Sequence, residues 1–68
     1  MTTVKSFWQH VNGKIYAIES DTFGEIIGAV GPLDPDTLYD PELYEYKRNI
    51  LDWILSAFAA NKLRRYNP

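Results

Sequence analysis

With 68 residues, no cysteine and a formal net charge of −2, the chain forms one small domain. It buries only about 60% of the surface its unfolded form exposes and has no disulfide to brace it. One histidine and no thiolate argue against a structural zinc site, and the mild acidity argues against generic nucleic-acid binding, which relies on clustered Lys and Arg.

The first elements meet at Asn12-Gly13. Residues 4–11 and 14–20 are β-branched and aromatic runs, and Asn-Gly between such runs predicts a hairpin closed by a two-residue type I′ turn. That turn sets Val11 opposite Lys14 and Phe7 opposite Ile18. Because strand side chains alternate, one face then carries Phe7, Gln9, Tyr16 and Ile18, and the other Trp8, His10, Ile15 and Ala17. Both faces are rich in large apolar groups, where a sheet solvated on one side would show one polar face.

Ser20-Asp21-Thr22-Phe23-Gly24 is a turn-forming cluster, after which residues 25–30 read as a third strand that places Ile27 beside Ile18 and Phe7. Pro32 and Pro35 lack the N–H needed for further pairing and are expected to end it. Asp34 and Pro35 suit a single helical turn. Asp40-Pro41-Glu42 is the stronger helix start, with Asp40 as cap and Pro41 at the first helical position, and it predicts a helix over residues 41–60. Projected at 100° per residue, this helix is apolar around about 200° of its circumference, more than one small sheet covers, with Trp53 at an edge of the surplus. Asn61 suits a left-handed residue after the helix, and Lys62, Arg64 and Arg65 suit its negative end.

The expected architecture is α+β: a three-stranded antiparallel meander over residues 4–11, 14–20 and 25–30, with a helix over 41–60 packed on one face. We expect the helix to take the face of Trp8, Ile15, Ala17, Ile26 and Gly28, where Ala17 and Gly28 allow close approach.

Chemistry-bearing groups are sparse. In the expected register Glu19 shares the face of His10 but lies about 13 Å away along the strand, beyond hydrogen-bonding reach. No cysteine nucleophile or nucleophile elbow is present. The acids from Asp34 to Glu42 lack the spacing and central glycine of a calcium loop and read as caps and turns. Gly24, Gly28 and Gly31 are not followed by the Lys-Ser/Thr of a phosphate loop. We therefore expect no enzymatic activity, cofactor, metal or small-molecule substrate.

The reading that remains is a small regulatory or accessory protein working through protein contacts, with itself as a homodimer or within a larger complex. Its expected contact residues are Phe7, Gln9, Tyr16, Ile18, Ile27 and Trp53, an interface-like mixture of aromatic, aliphatic and amide groups. A nucleic-acid-associated regulator using Lys5, Lys14 and the C-terminal Lys/Arg cluster is the alternative. With no apolar leader and no apolar run of about 18 residues, the expected location is the cytoplasm.

Overall fold

In the computed structural model, which describes residues 2–67, the first two connections share one design. The His10 N–H donates to the Lys14 carbonyl at 2.9 Å, and the Gly13 N–H to the His10 carbonyl at 2.9 Å. At the second connection the Asp21 N–H donates to the Glu25 carbonyl at 2.9 Å, and the Gly24 N–H to the Asp21 carbonyl at 3.1 Å. Each is a three-residue loop ending in a left-handed glycine, with φ of 89° at Gly13 and 84° at Gly24, the pattern of a turn followed by a glycine bulge. The expected two-residue turn is thereby corrected. Asn12 stays out of the left-handed region and uses its side chain instead, its Oδ1 accepting from the Lys14 N–H at 2.8 Å.

The extra loop residue slips the hairpin register by one. Strand β1 (Val4–His10) pairs with β2 (Ile15–Ser20) so that Phe7 faces Ala17 and Trp8 faces Tyr16. Since side chains alternate, this slip moves Phe7 to the face opposite Tyr16 and Ile18, and the expected shared face of Phe7, Tyr16 and Ile18 does not form. Strand β3 (Ile26–Leu33) pairs with β2 through two irregularities, which set Ala29 rather than Ile27 beside Ile18. It continues past the expected end at residue 30 because it lies at the sheet edge, where Pro32 is tolerated.

A fourth strand, β4 (Leu63–Tyr66), lies antiparallel to β1, giving the order β3-β2-β1-β4. The α+β class stands, with four strands where three were expected. Lys62, Arg64 and Arg65 thus lead into and occupy a strand rather than an extension of the helix end. The expected helix is also corrected: α1 spans Leu51–Ala59. Asp40 does cap a helical turn, its carboxylate accepting from the Glu42 N–H at 3.0 Å, but that 3-10 turn ends at Leu43. Asp34 caps a second such turn at Pro35–Thr37. At the far end of α1 the Asn61 N–H donates to the Phe58 carbonyl and the Lys62 N–H to the Ala57 carbonyl, with Asn61 at φ 56°. This is the paired closure of a left-handed cap, and it turns the chain back into β4.

The helix starts late because the sheet has two apolar faces to cover. On one side α1 brings Ile54 onto Tyr16, Ile18 and Ala29, flanked by Trp8, Ile26, Ile50, Phe58 and Leu63. Ile15 and Ala17, expected under the helix, lie on the other side with Phe7. There the segment between β3 and α1 supplies Leu38, Tyr44 and Tyr46. A helix starting at residue 41 would have carried the two tyrosines away from this face. Ile15 and Ile54 are fully buried, one on each side, and each contributes about 2 kcal/mol through burial.

Candidate functional site

Covering both faces changes which residues meet solvent. Phe7, Tyr16 and Ile18 are 5%, 6% and 2% exposed; Phe7 meets the ring of Tyr44 edge-on at 5.8 Å. Ile27 is half-buried within the β3 irregularity. Gln9 is half-buried near the first loop, its amide 3.5 Å from the Gly13 carbonyl. Trp53 remains 44% exposed. Of the six expected contact residues, only Trp53 and Gln9 reach solvent near one surface, Trp53 on the helix side of the sheet and Gln9 on its opposite face.

That surface forms at the first-loop end of the sheet. His10 ends β1 on the helix side, where its ring stacks on Trp53 at 4.9 Å between centroids and 26° between planes. Tyr16 supports the indole from beneath at 5.0 Å. The His10 Nδ1 accepts from the Asn12 N–H at 3.0 Å, which fixes the ring to the loop. Val11, the next residue, is 73% exposed, and its N–H donates to the Lys62 carbonyl at 2.9 Å. A groove of about 430 Å³ opens beside this cluster, lined by Gln9, His10, Asn61, Lys62 and Arg64 among others. A second groove, of about 320 Å³, runs past Lys14, Pro32 and Asp34. Among the described residues no carboxylate lines the first groove.

Elsewhere Lys5, Glu19 and Glu42 form one charged cluster. The Lys5 ammonium lies 2.9 Å from Glu42 and 3.7 Å from Glu19, and its pKa is raised, first by the hydrogen bond to Glu42. Glu19 therefore sits across the sheet from His10 and not on its face. The Tyr46 hydroxyl donates to the Pro41 carbonyl at 3.0 Å; burial, reinforced by Glu19 and Glu42, pushes its phenol up to about 12. Asp34 and Asp40 spend a carboxylate oxygen on their own turns. Among the described residues no group of three or more His, Asp or Glu is placed to hold a metal ion, and no helix is long and apolar enough to cross a membrane.

In the expected register His10 has no partner within hydrogen-bonding reach, and Lys62 and Arg64 fall at a helix terminus, so the expected elements do not reveal this surface. A signal for it existed. Leu63 and Tyr66 are apolar residues of opposite parity around two arginines, the pattern of a short strand whose two ends pack on opposite faces. No family model, curated protein or solved structure matches the chain.

Proposed function

We propose that the protein is a small non-enzymatic accessory or regulatory module of the cytoplasm that acts by protein contact, with a second copy of itself as one partner. The observation that carries this reading is the exposed cluster at the first-loop end, where Val11 and the His10–Trp53 stack present apolar and aromatic surface. Aromatic groups beside amide and cationic ones are the usual composition of an interface centre and its rim. The sheet-face dimer expected from the hairpin is replaced, because the chain covers both faces itself.

Sedimentation of the intact protein at hundreds of micromolar tests the self-contact. A dimer weakened by Val11→Glu, but not by Leu43→Glu on the other side of the sheet, supports it. A monomer at that concentration removes the homodimer and leaves the same surface to another protein.

A nucleic-acid-associated role draws support from Lys62, Arg64 and Arg65, but Lys5 is engaged by two carboxylates. Salt-dependent retention of single-stranded or duplex nucleic acid would favour it.

A further inference from the structure

The two edges of the sheet are treated differently. At β3, Ala29 and Lys47 exchange both backbone hydrogen bonds, at 2.9 and 3.0 Å, so a strand arriving there finds its central position occupied. At β4 the outer side has no backbone partner among the described residues. Since the Lys62 carbonyl points to β1, strand alternation directs the backbone groups of Leu63 and Arg65 outward.

This open edge is cationic. Lys62 and Arg64 project to the side of the 430 Å³ groove, while Arg65 lies over the Trp8 ring at 5.8 Å on the other side. None of the three makes an ion pair among the described residues. Charge on an edge strand can serve only to repel other strands, but that role needs no groove beside it.

Resting on the contact reading above, we infer that the outer edge of β4 docks an extended acidic segment of a partner protein, which adds to the sheet as a fifth strand. Outward amides and carbonyls of Leu63 and Arg65 supply the ladder, and acids at alternate positions meet Lys62 and Arg64. A second copy does not fit this edge. Antiparallel β4 against β4 would bring four arginines into one ladder, and like charges opposite one another destabilise a pair. The chain's own acidic stretch is committed to the sheet face and its caps. Single-stranded nucleic acid finds little to stack on along this edge, because Leu63 and Arg65 carry no aromatic ring and Trp8 is packed against Phe58 and Arg65.

The test is a nuclear magnetic resonance titration of the intact protein with a capped six-residue peptide alternating glutamate and valine. Its lysine-valine counterpart and oligothymidylate serve as comparison probes. The expected result is binding of the acidic peptide, weakened by salt, with slowed amide exchange at Leu63 and Arg65 and a loss of at least about tenfold in affinity in Arg64→Glu/Arg65→Glu. Arg65→Gln, which keeps the outward donor, should bind more tightly than Arg65→Pro, which lacks it.

No binding at millimolar peptide, equal binding of the lysine peptide, or binding without protection at Leu63 and Arg65 overturns the proposal. Tighter binding of oligothymidylate at the same residues assigns the edge to nucleic acid instead. If the peptide fails while the self-association sensitive to Val11→Glu persists, the edge proposal falls and the contact reading stands.

Discussion

Trp53 lies on His10 at 4.9 Å, with the two ring planes 26° from parallel, and this stack ties α1 to the first loop. The indole is partly exposed and still fixed by a second ring, Tyr16. Trp53→Ala is expected to cost about 1–2 kcal/mol, from lost stacking and partial burial. Ile54→Ala, one residue on and fully buried, should cost about 2–5 kcal/mol. Urea unfolding of the two variants checks the order; an equal or larger loss at Trp53 would show that the stack holds the loop and helix together more than its area implies.

The glycines separate two kinds of constraint. A methyl group at Gly13 or Gly24 meets nothing within 4 Å, so Gly→Ala there costs only the left-handed backbone, about 1 kcal/mol each. At Gly31 an added Cβ would fall 2.4 Å from the Tyr16 ring and 3.1 Å from the Ile15 carbonyl, with φ at 153°. Gly31→Ala is expected to lose about 3 kcal/mol. Thermal melts of the three variants should rank Gly31 well apart from the loop pair.

Alkali should weaken the fold through two groups. Burial raises the Tyr46 phenol from 10.0 to about 12, so the folded state holds that proton more tightly than the unfolded chain. Its contribution is complete below about pH 10 and is lost as the pH rises towards about 12. Lys5 is also raised above its ordinary 10.5, first by its hydrogen bond to Glu42. Its charged, paired form stabilises the fold at lower pH, and that contribution is likewise lost on going up. The urea midpoint should therefore fall above about pH 10. Tyr46→Phe should lose about 1 kcal/mol at neutral pH with the Pro41 hydrogen bond and show a shallower alkaline decline. A decline as steep as that of the parent would place the titrating group elsewhere.

Phe23 sits at the tip of the second loop, 92% exposed, while Asp21 Oδ1 and the loop backbone hold the turn without it. Phe23→Ser should leave stability within about 0.5 kcal/mol of the parent, as read by the same melts.

Local signals were legible where one residue carries the geometry. The caps at Asp34 and Asp40, the left-handed Asn61 and the hairpin itself all follow from side-chain chemistry acting over a few positions. What escaped the sequence was anything decided by a competing surface. Asn-Gly suits two hairpin geometries, and the three-residue form moves Phe7 across the sheet with a slip of one position. Asp40-Pro41-Glu42 starts a helical turn, yet Tyr44 and Tyr46 are needed against Phe7, Ile15 and Ala17, and tertiary burial overrides helix propensity there. The contact surface was lost through the same errors. A longer helix hides the separate strand at 63–66, and without that strand Lys62 and Arg64 do not come beside His10.

Strand β1, the earliest in the chain, is interior to the sheet and receives its outer neighbour only from Leu63–Tyr66. Both layers that cover the sheet also follow β3 in sequence. A nascent chain that has emerged only as far as Leu33 holds three strands with two bare apolar faces, and pairing across such separations is slow. Folding is therefore expected to complete only once Leu63–Tyr66 is available to pair with β1, and the interval before it is when exposed apolar surface favours aggregation.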